Sequence, residues 1–264
     1  MYRATAKEVQ ALRQTTGAGM LDCKRALEQH NGDFERSRTW LREQGLAGAA
    51  RRADRVASQG AVALAVSDVD AAIVELRCET DFVAKADAFV SLVDELAQLV
   101  AAKGEAAAVE RQDAIDDLKT TLKENIALGR VVRFAIGEGS VVGTYLHVQA
   151  ERGVNAVLVE LKHGTESLAH DIAVHIAFAR PAYLRREDVP GDAVAAERAT
   201  VEAMSRNEGK PEAALAKVVD GRMTGWFKER VLLEQPYAKD DKRSIADLLG
   251  DAEVVRFAQV VVGG

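Results

Sequence analysis

Cysteine is nearly absent. Cys23 and Cys78 are the only two, far apart and in no C-x-x-C pair, which argues against a disulfide framework and for free thiols in a reducing compartment. No uncharged apolar run approaches the ~18 residues that a membrane-spanning helix needs. The opening MYRATAKEVQ lacks the apolar core of a signal peptide and is not an Arg/Ser-rich presequence, so the expected compartment is the cytoplasm. Basic residues are in deficit, 35 against 41 acidic, a formal charge of −6. Neutralising phosphates needs an excess of Lys and Arg on one face, so duplex nucleic acid is not the expected main partner and another protein is. Prolines number only four, and with 48% hydrophobic and 29% charged residues the chain lacks the signature of a disordered one.

At 264 residues the chain exceeds the usual size of one domain, so two or three compact units are expected. Basic residues outnumber acidic ones up to about Gln59, with Arg51, Arg52 and Arg55 close together. A solvated helix face leading into a linker accounts for them, and a local phosphate or RNA contact is the alternative.

Thr5 stands three residues before Glu8, a capping box that opens a first helix with Val9 and Leu12 on one face. That helix should stop at Thr16-Gly17-Ala18-Gly19. A second runs through Met20, Cys23, Ala26 and Leu27 to the Asn31-Gly32-Asp33 turn, and Asp33 can cap a third carrying Phe34, Ser37, Trp40 and Leu41, predicted to end at Gly45. So small a bundle has a marginal core and should gain stability by docking.

From Gln59 the apolar period becomes two. AVALAV, a turn at Asp68-Val69-Asp70 and AIVELRC read as a β-hairpin, after which Thr80 or Asp81 caps a helix bearing Phe89, Leu92, Val93, Leu96 and Val100. The Ala/Glu/Lys-rich stretch to Leu128 reads as helical. VVRFAIG, SVVGTYLHV and NAVLVELKH read as three antiparallel strands, two of them joined at Gly137-Glu138-Gly139, covered by a helix from about Glu166 to Ala179. Beyond Pro181, Val194–Glu208 and Glu212–Val231 form a helical hairpin around Gly209-Lys210-Pro211, and Val254–Val262 returns as a strand.

No catalytic set emerges. Thr16-Gly17-Ala18-Gly19 lacks the spacing of a phosphate-binding loop and follows a helix instead of a strand. His170 and His175 lack the Glu of H-E-x-x-H, while His30, His147 and His163 are scattered, so no metal and no cofactor is expected. Neither cysteine has a neighbouring His to activate it. What stands out is Glu79-Thr80-Asp81-Phe82-Val83-Ala84-Lys85, where a strand delivers an Asp-Phe pair to a helix start. Two readings compete: Thr80 or Asp81 caps the helix and Phe82 packs beneath it, or Phe82 with its neighbouring carboxylate projects as an anchor for a partner's pocket.

LRQTTGAGMLDCKRAL, Leu12 to Leu27, and ELRCETDFVAK, Glu75 to Lys85, resemble the two signatures of the elongation factor Ts family. The likeness continues through HDIAVHIAFARPAYL, Glu208-Gly209-Lys210-Pro211-Glu212 and VVDGRMTGWFKERVLLEQPYAKD, and so covers nearly the whole chain. It implies an α+β protein with a ubiquitin-associated-like (UBA-like) three-helix domain at residues 1–54. A core of two α+β subdomains with antiparallel sheets follows, at 55–140 and at 141–179 with 229–264, and a helical-hairpin insertion at 180–228.

The resemblance further implies a guanine-nucleotide exchange factor, without covalent chemistry, for elongation factor Tu in its GDP-bound and nucleotide-free forms. In the family the Thr-Asp-Phe-Val segment intrudes beside the partner's nucleotide site and dislodges Mg²⁺, a role that falls on Thr80, Asp81, Phe82 and Val83. The family's N-terminal domain grips a helix of the partner, which points to Arg13, Met20, Leu21 and Lys24. Leu122 and His147 match family residues behind the intruding aromatic. Arg77 departs from the Asn usual at its place, the insertion is compact, and the sequence ends at Val262-Gly263-Gly264 without the further helix some members carry, which leaves self-association open. An enzyme with acid/base carboxylates, or a protein that docks on elongation factor Tu or the ribosome without speeding exchange, are the alternatives.

Overall fold

The computed structural model describes residues 2–264, without the side chains of Leu46, Ala47 and Ala50. Two compact units divide the chain. One comprises the chain up to Phe134 with Val148–Asn155 and Val260–Gly264; the other comprises Ala135–His147 and Ala156–Gln259.

The first unit opens with three helices, α1 (Ala6–Thr16), α2 (Met20–Gln29) and α3 (Phe34–Arg52). The expected capping box is present: the Thr5 side chain accepts from the Glu8 N–H, and the Glu8 carboxylate accepts from the Thr5 N–H at 2.7 Å. Gly17, at φ 65°, ends α1 in the left-handed region that a glycine occupies without a Cβ clash. The Arg36 N–H donates to Asp33 Oδ1 at 3.0 Å, so Asp33 caps α3 as its position suggests. Val9, Leu12, Cys23, Ala26, Leu27 and Leu41 form the buried centre of this bundle.

α3 does not stop at Gly45 but runs on to Arg52. Gly45 keeps helical backbone and serves a close approach, because a Cβ there would collide with the Thr120 side chain. Arg52 Nη2 donates to the Lys119 carbonyl at 3.0 Å, and Lys123 pairs with Asp22 at 3.2 Å. The marginal bundle thus gains the docking expected of it.

A hairpin follows, β1 (Gln59–Val66) and β2 (Asp70–Cys78), antiparallel with Gln59 opposite Cys78 and Ala63 opposite Val74. Alanines alternate on its inner face, Ala61, Ala63 and Ala72 beside Val74 and Leu76. Small side chains there let α5 (Asp87–Lys103) lie close, burying Phe89, Leu96 and Val100 at helical spacing. Each such side chain withdrawn from water contributes ~1.5–3 kcal/mol.

The single helix expected after Thr80 is two. α4 (Asp81–Ala84) is one turn, and α5 restarts after Ala86. The long helical stretch expected up to Leu128 also breaks, at Gly104 (φ 101°), into a 3-10 segment Glu105–Arg111 and α6 (Gln112–Leu122).

Strand β3 (Ala127–Ala135) joins the hairpin in a sheet ordered β1-β2-β3, and so does not belong with the strands that follow it, as the pattern suggested. Its backbone is claimed by β2: the Arg130 N–H donates to the buried Glu75 carboxylate at 3.0 Å, and Arg133 pairs with Asp70 at 2.5 Å. Alternating apolar residues define a strand but not its neighbour.

The second sheet is ordered β4-β5-β8, with β4 (Ser140–Gln149), β5 (Arg152–Lys162) and β8 (Glu253–Val261). α7 (Glu166–Ala179) covers it through Ala169, Ile172, Ala173 and Ile176, as expected. α8 (Gly191–Asn207) and α9 (Glu212–Arg230) pair antiparallel around their own core of Val201, Leu215, Val219, Met223 and Phe227. A short hairpin, β6 (Pro236–Tyr237) with β7 (Asp240–Ser244), and α10 (Ile245–Leu249) escaped the sequence pattern, being too short and polar to show a period. Among the described residues no helix is long and apolar enough to cross a membrane.

Candidate functional site

At the end of β2 the chain leaves the sheet at Cys78 and turns into α4. Thr80 is extended (φ −122°, ψ 154°) and caps that turn, its hydroxyl accepting from the Val83 N–H at 3.4 Å. Val83 and Ala84 are buried in the core shared with α5. Successive helical residues are ~100° apart, so anchoring Val83 and Ala84 inward turns Phe82 away from that core. Phe82 is 82% exposed, which decides between the two readings of its packing: it does not lie beneath the helix.

Beside it, Asp81 accepts from Lys85 Nζ at 2.5 Å, one helical turn away. That bond, reinforced by the charges of Lys85 and Arg152, holds the Asp81 carboxyl below the usual carboxylate range, so it is anionic at neutral pH. An exposed aromatic with a fixed negative neighbour presents both apolar area and charge to whatever docks there.

The segment is held from behind by Glu124 and Asn125, which the sequence did not single out. The Glu124 carboxylate accepts three hydrogen bonds: from the Glu79 N–H at 3.0 Å, the Thr80 N–H at 3.0 Å and the Thr80 hydroxyl at 2.5 Å. In return, Glu79 Oε1 accepts from the Asn125 N–H at 2.7 Å. The Asn125 amide donates to the carbonyls of Ala53 at 3.0 Å and Arg55 at 2.8 Å, at the end of the bundle. Arg55 reaches Glu79 at 3.5 Å. α6 ends with Lys123 in the left-handed region (φ 60°), and the turn this makes delivers Glu124 and Asn125 to the loop. The only signal for this in the sequence is a polar Glu-Asn pair between a helix and a strand.

Cys78 closes the base of the loop, its thiol donating to the Thr80 carbonyl at 3.2 Å. Burial, with the nearby Glu124 charge, pushes that thiol up to about 12, so it stays protonated and is no nucleophile. Both cysteines are free.

Of the other residues singled out, Met20 and Leu21 open α2 side by side, 60% and 77% exposed, an apolar step on the bundle surface. Lys24, a turn further, is exposed and pairs with Glu28 at 3.8 Å, and Arg13 is exposed on α1. Leu122 is half-buried against the core that takes Val83 and Ala84. His147 belongs to the other unit, exposed and stacked on Tyr145 with ring centroids 6.3 Å apart. His175 is buried and occupied by Gln235 and the Ala238 N–H. Among the described residues no group of three or more His, Cys, Asp or Glu is placed to hold a metal ion.

The comparisons with known proteins converge. A sequence model of a family described as elongation factor TS matches residues 79–264, beginning at the loop just described. The chain is 44% identical to the elongation factor Ts of Acidothermus cellulolyticus, over all of this chain and 99% of that protein. It is 46% identical to that of Clavibacter michiganensis subsp. michiganensis and 43% to that of Pseudarthrobacter chlorophenolicus, in both cases over the whole of each chain.

Proposed function

The chain belongs to the elongation factor Ts family of translation elongation factors, and from that membership we propose that it is the guanine-nucleotide exchange factor of elongation factor Tu, acting in the cytoplasm. It binds the GDP-bound partner and inserts Thr80, Asp81, Phe82 and Val83 beside the nucleotide. Arg13, Met20, Leu21 and Lys24 hold the partner through the N-terminal domain, with Leu122 and His147 as lesser contacts. The observation that carries the reading is Phe82, a large aromatic almost wholly in water on a turn whose next two residues, Val83 and Ala84, are buried.

The chemistry needed is modest. Mg²⁺ bridges nucleotide phosphates and protein oxygens, so an intruding group that displaces it leaves phosphate charge uncompensated and loosens GDP. Linkage is reciprocal: GDP weakens the partner's hold on this protein by the same factor, and incoming nucleotide expels it. No covalent step is required. Residues 1–54 grip, the core of 55–140 and of 141–179 with 229–264 carries the intruding loop, and 180–228 is an insertion on that core.

Release of a fluorescent GDP analogue from the matching elongation factor Tu, followed at fixed Mg²⁺ with and without this protein, tests the reading. The wild type speeds release, and Phe82→Ala loses most of that effect while still binding. Binding without faster release would replace exchange by docking alone.

A further inference from the structure

Glu79 and Glu124 form a reciprocal pair across two segments: each carboxylate accepts the backbone N–H at or beside the other's position, Glu79 from Asn125 and Glu124 from Glu79 itself. The arrangement works like a capping box, but it ties a loop after β2 to a loop after α6. We propose that Glu124, with Glu79, is a positioning residue for the exposed aromatic, a role that rests on the exchange reading above.

The link from Glu124 to Phe82 runs through the Thr80 hydroxyl. That hydroxyl has one proton to give, and it goes to Glu124 Oε1 at 2.5 Å. With the proton committed, a lone pair is left facing the Val83 N–H, which it accepts at 3.4 Å. Glu124 therefore selects the hydroxyl orientation in which Thr80 caps α4. The cap sets the start of a turn only four residues long, Asp81–Ala84, in which just two i to i−4 backbone bonds, Ala84 N–H to the Thr80 carbonyl and Lys85 N–H to the Asp81 carbonyl, each 3.2 Å, help to hold its direction. Phe82 is the second residue of that turn. With most of its surface in water, it has little packing to fix it, so its direction is inherited from the backbone beneath it.

Charge sharpens the effect. Hydrogen bonds to an ionised carboxylate are stronger than neutral ones, and three on one carboxylate leave the loop few alternatives. Asn125 extends the pair by holding the carbonyls of Ala53 and Arg55, so the loop shares one support with the connection to the helical bundle. The Thr80 position accordingly requires a hydroxyl and the 124 position a carboxylate, because both of its oxygens accept here and Gln would replace one of them with a donor. A factor in which either is lost still presents Phe82, but over a spread of directions, and the fraction of encounters that place it correctly falls.

Glu124→Gln and the pair Thr80→Val and Thr80→Ser test this in the full chain. Two quantities are read: amide hydrogen exchange at Glu79, Thr80 and Val83, and the dependence of GDP-analogue release on factor concentration. In Glu124→Gln and Thr80→Val the Val83 amide exchanges at least about tenfold faster while α5 stays protected. The maximal release rate falls about tenfold and the half-saturating concentration moves by less than about twofold. Thr80→Ser keeps the hydroxyl and with it the Val83 amide protection of the wild type. Unchanged amide protection in Glu124→Gln, or a loss that falls wholly on half-saturation, overturns the proposal. A general loss of protection in Glu124→Gln leaves the decision to Thr80→Val against Thr80→Ser, and equal Val83 amide exchange in those two overturns it as well. A wild type that does not speed release sinks the exchange reading instead, while the amide measurement still decides whether Glu124 holds the loop.

Discussion

Gly45 on α3 lies so close to Thr120 on α6 that a methyl group added to the glycine would overlap the threonine side chain. The contact is where the helical bundle meets the rest of the first unit. Thr120 is short and β-branched and has little freedom to turn aside. Alanine in a helix interior is intrinsically better than glycine by ~0.8–1.0 kcal/mol, but overpacking costs ~1–3 kcal/mol. We therefore expect Gly45→Ala to lower stability, and Gly45→Ala with Thr120→Ala to recover it, in urea unfolding monitored by circular dichroism. A stabilised single variant would show that the two helices do not meet there.

Glu75 is fully buried in β2, where Arg77 Nη2 donates to it at 2.9 Å and the Arg130 N–H at 3.0 Å. Removing one partner of a buried pair strands the other charge, at ~3–5 kcal/mol. The Arg77 side chain keeps 35% of its surface exposed, so the expected loss for Arg77→Ala is smaller, about 2–3 kcal/mol. Arg77→Asn should cost less because its amide can still donate. Chemical denaturation of the three proteins ranks them, and equal stabilities would contradict the pairing.

His175 has a definite tautomer. Nδ1 accepts from the Ala238 N–H at 3.3 Å, so Nε2 carries the proton and donates to Gln235 Oε1 at 3.0 Å. Burial lowers its pKa below the ordinary histidine value. The folded state thus refuses a proton that the unfolded chain accepts near pH ~6.5. This contribution to stability is complete above that pH and declines below it by up to ~1.4 kcal/mol per pH unit, until the folded group itself titrates. Unfolding free energies between pH 8 and pH 5 should carry this slope, and His175→Gln should remove it.

Glu8 accepts from the Tyr2 hydroxyl at 2.6 Å and from Thr5, and these bonds, the Tyr2 one foremost, lower its pKa to about 2. A lowered carboxyl stabilises the fold above its unfolded value and loses that contribution as pH falls through the folded one. Carboxyl resonances followed by NMR should show Glu8 titrating last among the glutamates of the bundle, and Tyr2→Phe should bring it back toward the others.

Much of this architecture is legible in the chain because it is local. The Thr5–Glu8 box, the Gly17 stop and the Asp33 cap each join residues three or four positions apart, and the hairpin β1–β2 is set by alternation and a short turn. The family signatures are equally plain, and with them the identity of the projecting segment. Where the chain surprises, a contact between distant residues outweighs a local preference. Gly45 reads as a helix stop until Thr120 is seen to require it; VVRFAIG reads as a partner of the strand after it until Glu75 claims its backbone.

By itself, then, the sequence determined the α+β class, most of the helices and the β1–β2 hairpin, because each depends on the spacing of residue types along one element, while the Thr80–Val83 segment was picked out by resemblance to the family. Only the tertiary structure decided that Phe82 faces water and that Glu124, 44 residues beyond Thr80, fixes the turn that carries it. Burial and hydrogen bonding are properties of neighbours in space, and the neighbours of Thr80 are chosen by the turn at Lys123 that ends α6.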